Sequence, residues 1–144
     1  MTEPSSETPD LTGLTQSLAQ ALIDKKAANV RVLELSELVS YCDRVILCTG
    51  NSGRHVRAIA EAGIQTAKQQ GIIPLGVEGQ GVDQWILIDL NDIIIHVFDS
   101  SVRSNYDLDS LWVTAPEISL ESLGLDLPDP DPDSDSDDAP YFVL

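Results

Sequence analysis

The stretch from Asp43 to Gly79 constrains the fold more than any other part of the chain. Its first segment, Asp43–Gly50, carries four consecutive apolar residues and ends at a glycine, which predicts a short buried strand near the centre of a sheet. Apolar residues then recur every three or four positions across Val56–Ala67, which predicts an amphipathic helix. A second strand is predicted over Leu75–Gly79. A strand, helix and strand of this length predict a parallel pair of strands.

The rest of the chain predicts a helix and a strand before this unit, and a hairpin and a helix after it. Residues 10–26 place leucines on one helical face, and residues 29–35 alternate weakly, as in a strand near the edge of a sheet. Residues 85–90 and 93–98 are two β-branched runs joined by a short turn, and a last helix is predicted from residue 99 or 100 to Trp112. Together these elements predict an α/β domain with a mixed sheet of mostly five strands flanked by helices.

The net charge of −16 is unevenly distributed along the 144 residues. Residues 1–9 hold 2 acids and no base, residues 10–113 hold 13 acids and 8 bases, and residues 114–144 hold 9 acids and no base. We therefore divide the chain into a disordered N-terminal segment (1–9), one folded domain (10–113) and an acidic, proline-rich tail (114–144) that is predicted to be disordered. Because no patch of Lys and Arg is apparent, direct binding of DNA is not expected.

The sequence also bears on the compartment. It has no run of eighteen apolar residues and no basic or apolar N-terminal leader, so we expect a cytoplasmic protein that does not enter a membrane. Cys42 and Cys48 form no CxxC motif, which favours two ordinary thiols over a disulfide framework or a zinc site.

The loop Thr49–His55 lies between strand and helix, where backbone N–H groups could receive an anion. It lacks both the lysine of a GxxxxGK[ST] loop and the spacing of GxGxxG, so a turn capped by Asn51 or Ser52 is the favoured interpretation. His55 is expected to face solvent.

Two acidic residues and a histidine belong to the predicted hairpin. Asp89 and Asp92 could be imagined as paired metal ligands, but they flank a tight turn at Asn91, which favours a role in the turn. His96 alternates with apolar residues and is expected to be a hydrogen-bonded histidine of the sheet, because no second set of ligands accompanies it. We therefore predict no metal site, no cofactor and no catalytic residue.

Two interpretations of the large side chains stay open at this point, because such residues occur both in cores and in interfaces. Trp85 shares a strand face with Leu87 and Asp89, so this face is expected to be incompletely covered. Tyr106 and Leu108 lie on the last predicted helix, which carries apolar residues on two faces.

Several ordered blocks of residues carry a resemblance to a known family. They are residues 43–56, residues 74–79, Trp85 and Ile86 with Asp89, Asp92 and His96, and Arg103 with Tyr106, Asp107, Leu108, Leu111 and Trp112. From about Leu11 to Trp112 the chain resembles the ribosomal silencing factors, also called RsfS or Iojap. It departs from the family pattern at Asn91, where glycine is common, and in continuing to Leu144.

The resemblance implies a nucleotidyltransferase-like fold without transferase chemistry. It also implies a translational repressor that binds large-subunit ribosomal protein fourteen and blocks the association of the ribosomal subunits. By position, Trp85, Tyr106 and Leu108 would touch this partner, and a homodimer of the free protein is implied as well. The alternatives are a nucleotidyltransferase-type enzyme that uses Asp89 and Asp92, and a large-subunit assembly factor.

Overall fold

The computed structural model describes residues 11–127, which form one mixed sheet with helices on both of its faces. In chain order the elements are α1 (Leu11–Asp24), β1 (Ala28–Glu34), β2 (Arg44–Gly50), α2 (Gly53–Gln69), β3 (Gly76–Glu78), β4 (Trp85–Asp89), β5 (Ile93–Asp99), α3 (Ser100–Tyr106), α4 (Leu108–Leu111) and β6 (Glu117–Ile118).

The strands lie in the order β3-β4-β5-β2-β1-β6. As predicted, β2 is central, and six of its seven residues are buried. The predicted parallel pairing of the two strands that flank α2 is wrong: β2 pairs in parallel with β5, whereas β3 pairs antiparallel with β4. The β4–β5 hairpin lies between them, because it provides a longer apolar neighbour for β2 than the three-residue β3 does.

The sheet has six strands instead of the expected five, because Glu117 and Ile118 pair with Leu33 and Val32 of β1. Ordered structure therefore continues into the segment that the charge pattern predicts to be a disordered tail. Leu123 is buried in the main core, and the side chain of Gln20 bonds both backbone groups of Asp126, at 3.0 and 2.7 Å. Residues 1–9 and 128–144, for which disorder is predicted, lie outside the described residues.

Two clusters of buried apolar side chains lie on the two faces of the sheet. On one face, α1 and α2 contribute Leu18, Leu22 and Ile59, which pack against buried residues of β2, β4 and β5. On the other face, a second cluster centres on Phe98 and Trp112. The first face is covered by the two longest helices, of 14 and 17 residues, whereas the second is covered less completely, because α3 and α4 have only 7 and 4 residues.

The predicted last helix is divided in two. Asp99 caps α3 through a 3.0 Å bond from the N–H of Val102, and α3 ends at Asp107, which adopts the left-handed conformation (φ 53°). Asp109 of α4 then accepts hydrogen bonds from Arg103 (3.0 Å) and from Arg31 of β1 (2.6 Å). These ion pairs fasten α3 and α4 to the sheet. Among residues 11–127, no helix is long and apolar enough to cross a membrane.

We expect removal of residues 128–144 to leave the fold intact. Both apolar clusters and the six-stranded sheet are formed by residues 11–127, so the truncated chain retains this core. Thermal unfolding followed by circular dichroism should show one cooperative transition within about 2 °C of that of the full chain, since changes outside a core have small effects. A broad or absent transition would show that residues 128–144 contribute to the core.

A candidate protein-binding face

The second face of the sheet is open above β4. Ile86 and Ile88 point into the helix-covered core and are fully buried, whereas Trp85, Leu87 and Asp89 alternate with them and are half-buried. This pattern confirms the expectation that the face of Trp85 is incompletely covered. It arises because β4 lies near the edge of the sheet, whereas α3 packs mainly on β5 and β2.

A small apolar groove of about 210 Å³ lies on this face, and we call it the Trp85 groove. Tyr41 and Leu111 form part of its wall and are exposed by 59% and 64%. Its other lining residues are Leu35, Cys42, Val45, Trp85, Leu87, Ile94, His96 and Trp112. A patch of this composition is typical of a surface that binds another molecule, because water solvates it poorly.

Trp85 is held in place by a cluster of rings. Its indole N–H donates a 3.1 Å hydrogen bond to Nδ1 of His96, and its ring centroid lies 5.3 Å from that of Phe98. The ring of His96 stacks on Phe98 with an interplanar angle of 8° and lies 6.1 Å from Trp112. Trp85 is therefore a pre-oriented aromatic side chain at an open surface, as expected of an interface anchor.

His96 is the hydrogen-bonded sheet histidine that the sequence predicts. It is 7% exposed, and burial lowers its pKa to about 4. Because the Trp85 N–H can only donate, Nδ1 of His96 must accept, and the neutral ring carries its proton on Nε2. Protonation of Nδ1 would break this bond.

We predict that the protein loses stability in mild acid. An unfolded histidine titrates near pH 6.5, whereas the pKa of folded His96 is about 4, so the unfolded chain binds a proton first as the pH falls. The free energy of unfolding should fall through this window, by about 2 kcal/mol at pH 5. Urea unfolding at pH 7 and pH 5 measures the difference.

His96→Phe should remove most of this pH dependence. The pKa of Asp109, lowered to about 2 mainly by its hydrogen bond from Arg103, affects stability only below about pH 4. It therefore does not obscure the histidine effect. Equal unfolding midpoints of the wild-type chain at pH 7 and pH 5 would contradict the prediction.

The other two predicted partner-binding residues follow one another closely at the junction of the last two helices. Tyr106 is the last residue of α3, and Leu108 is the first residue of α4. The exposed Leu111, one turn beyond Leu108, reaches the Trp85 groove. The positions of the Tyr106 and Leu108 side chains lie outside the described part of the structure, so their contact with a partner stays a prediction.

The loop before α2 is a capped turn, as expected. Ser52 caps α2 by accepting a 3.1 Å bond from the N–H of His55. The expectation that His55 faces solvent is wrong, because its ring is half-buried between two backbone groups. Its Nδ1 accepts from the N–H of Asn51 (2.9 Å), and its Nε2 lies 2.7 Å from the carbonyl oxygen of Lys25.

The two acidic residues of the hairpin also have the predicted turn role. Asp89 accepts a 2.9 Å bond from the N–H of Asn91, which has a positive φ of 79°. The carbonyl oxygen of Asp92 accepts bonds from the N–H groups of Asp43 and Arg44. Within residues 11–127, no group of three His, Cys, Asp or Glu side chains is placed to hold a metal ion.

Comparison with known proteins decides the family. The family model described as "Ribosomal silencing factor during starvation" matches residues 7–141. The chain belongs to this family. The match includes most of the acidic segment, so it extends further than the resemblance from Leu11 to Trp112.

Individual ribosomal silencing factors agree with this assignment. The ribosomal silencing factor RsfS of Halalkalibacterium halodurans is 38% identical over 110 residues, which cover 76% of this chain and 94% of the relative. A crystal structure from Chromobacterium violaceum superimposes with a TM-score of 0.70 at 30% identity and covers 83% of this chain and 91% of that one. A more distant mouse protein, named "Mitochondrial assembly of ribosomal large subunit protein 1", is 24% identical and matches 66% of this chain and 43% of its own length.

Sequence reasoning misses some features of this silencing factor's face. The sequence pattern gives no role to Tyr41, which forms part of the wall of the Trp85 groove and is 59% exposed. The link between Arg31 and Asp109 joins residues 78 positions apart, and no local pattern indicates it.

Proposed function

We propose that the protein is a translational repressor that binds the large ribosomal subunit through large-subunit ribosomal protein fourteen and sterically blocks association of the subunits. The observation that carries the proposal is the half-buried Trp85 at an open apolar groove, in a chain that belongs to the ribosomal silencing factors. Such a fixed aromatic side chain is a typical binding hot spot. This role requires no chemical step, only a bound domain large enough to occupy the subunit interface.

The charges around the groove support a basic partner. Glu78 lies beside Leu87 in the sheet, and Asp89 lies on the same face, whereas no Lys or Arg is among the described residues that line the groove. An apolar centre with an acidic rim suits a ribosomal protein, which must be basic to bind RNA. Tyr106 and Leu108 would extend this contact, and the site of action would be the cytoplasm.

Co-sedimentation with purified ribosomal subunits tests the proposal. The protein should pellet with large subunits at a ratio of about one to one and stay in the supernatant with small subunits. Large subunits that lack ribosomal protein fourteen should retain little of it. Equal binding to both subunits, or to neither, would contradict the proposal.

A second candidate function is assembly of the large subunit, which the name of the mouse relative favours. Both functions would use the same face, so binding alone does not separate them. Depleting the protein from cells separates them: an assembly factor leaves incomplete large subunits, whereas a repressor leaves mature subunits and more translation when nutrients are short.

The enzymatic alternative leads to a further prediction. The Asp89 carboxylate accepts the N–H of Asn91, and within residues 11–127 no third His, Cys, Asp or Glu side chain is placed to complete a metal site, so the two aspartates lack the several oxygen ligands that a divalent ion needs. Calorimetry with Mg²⁺ and nucleoside triphosphates should show no heat beyond dilution. Micromolar binding that disappears in Asp89→Asn would contradict this and favour a nucleotidyltransferase. The nucleotidyltransferase-like character of the fold stays a proposal.

A further inference from the structure

Two buried N–H groups at the Trp85 groove have no acceptor among the described residues. The proton of neutral His96 is on Nε2, because Nδ1 accepts from Trp85, and among the described groups the His96 ring has this one hydrogen bond, at Nδ1. Trp112 contacts the ring of His96, and its indole N–H has no acceptor among the described groups. His96 and Trp112 are only 7% and 8% exposed. Most buried polar groups are paired, so two such donors in one place require an explanation.

Both residues line the Trp85 groove, so an acceptor held in the groove could satisfy them. The pKa of His96 is lowered to about 4, which keeps the ring neutral and Nε2 a donor at physiological pH. The residues that face the ring are apolar or aromatic: Trp85, Leu87, Phe98 and Trp112. The groove thus combines an apolar wall with a fixed N–H donor.

The size of the groove limits its occupant. Its volume of about 210 Å³ is below the roughly 300 Å³ at which sites for drug-sized ligands begin, which argues against a nucleotide or similar cofactor. One apolar side chain with its adjoining peptide group fits such a space. The groove is continuous with Trp85 and opens between the exposed Tyr41 and Leu111, so a protein that docks on Trp85 also covers the groove.

We propose that the Trp85 groove receives one apolar residue of the protein partner, and that a carbonyl oxygen of the partner accepts a hydrogen bond from Nε2 of His96. This inference rests on the proposed function and deepens it. It names the second anchor of the interface, in which this chain supplies the pocket and the partner supplies the inserted residue. His96 thereby has two roles, since Nδ1 orients Trp85 and Nε2 binds the partner.

Two substitutions separate these roles. In His96→Gln the side-chain amide nitrogen takes the place of Nε2 and keeps the donor, whereas in His96→Asn the amide takes the place of Nδ1 and keeps only the acceptor for Trp85. Both lose the ring, so both should lose similar stability. We expect His96→Gln to bind large subunits within about threefold of the wild-type affinity and His96→Asn to bind about tenfold more weakly, the effect of one lost hydrogen bond. Equal affinities of the two variants would overturn the role of Nε2.

A third variant leaves His96 in place, in case the others do not fold. Ile94 is half-buried in the groove wall, and Ile94→Phe fills the space without changing charge. We expect at least a tenfold loss of affinity for large subunits. Ile73→Phe is the matched control, because Ile73 is 69% exposed and does not line the groove. Wild-type affinity of folded Ile94→Phe would overturn the inference.

The same measurements distinguish this inference from the proposed function. If Trp85→Ala weakens binding but Ile94→Phe does not, the face that carries Trp85 binds the large subunit, but the groove does not receive a residue of the partner. If neither variant weakens binding, the large subunit does not bind at this face, and both the proposed function of the face and the role of the groove are contradicted. If Ile94→Phe abolishes self-association in analytical ultracentrifugation and leaves subunit binding unchanged, the groove holds a second copy of this chain, which also overturns the inference.

Discussion

Gly79→Ala should destabilise the protein more than alanine at any other positive-φ glycine within residues 11–127. Gly79 has a φ of +93°, and a Cβ atom built on it would lie 1.9 Å from the carbonyl oxygen of Trp85. No real side chain tolerates that distance, so the start of β4 would have to move. We expect a loss of at least about 3 kcal/mol, a large part of the stability of a domain of this size.

Gly81→Ala is the matched control for this prediction. Gly81 also has a positive φ, +96°, but a Cβ atom there meets no atom within 4 Å. It should therefore cost only the strain of the left-handed conformation, about 1 kcal/mol. Urea unfolding of the two variants measures the difference. Equal losses would show that the contact with Trp85 is relieved at little cost.

Trp85→Ala should abolish most of the affinity for the large subunit. Truncation of an aromatic hot spot at an interface typically costs about 2 kcal/mol or more, which is about thirtyfold in affinity. The variant also loses ring contacts with Phe98 and His96, so its folding must be checked by circular dichroism. Tyr106→Ala should weaken binding similarly if its side chain joins this face. The loss should depend little on salt, because the anchor is apolar.

Leu111→Ala and Ile73→Ala provide a pair that does not disturb the core. Both residues are largely exposed, by 64% and 69%, but only Leu111 reaches the Trp85 groove. We expect Leu111→Ala to weaken binding to large subunits and Ile73→Ala to leave it unchanged. A binding loss that is steep in salt would instead favour RNA contacts by Arg54 or Arg57, and equal binding by all variants would exclude this face.

Local chemistry makes much of the fold predictable. The positive φ of Asn91, the Ser52 cap of α2 and the leucine face of α1 each follow from a few neighbouring residues, and each is present in the structure. The incomplete cover of Trp85 also follows from a simple alternation along β4. Each of these features depends on the conformational or burial preferences of a few residues that are close together in the sequence.

Pairings between distant segments could not be predicted in the same way. The two-residue strand at Glu117 has no periodicity of its own and is defined only by its partner in β1. The last helix breaks at the left-handed Asp107, and the following Asp109 binds Arg103 and Arg31, which belong to different elements. The groove likewise combines a loop, three strands and α4, so its existence is evident only in three dimensions.

An assay of subunit joining tests the proposed repression most directly. Purified small and large subunits are mixed at a magnesium concentration that permits association, and light scattering follows the joined particle with and without the protein. We predict that the wild-type protein reduces joining in proportion to the large subunits it occupies, and that folded Trp85→Ala does not. Unchanged joining at a concentration of wild-type protein that saturates the large subunits would contradict steric repression.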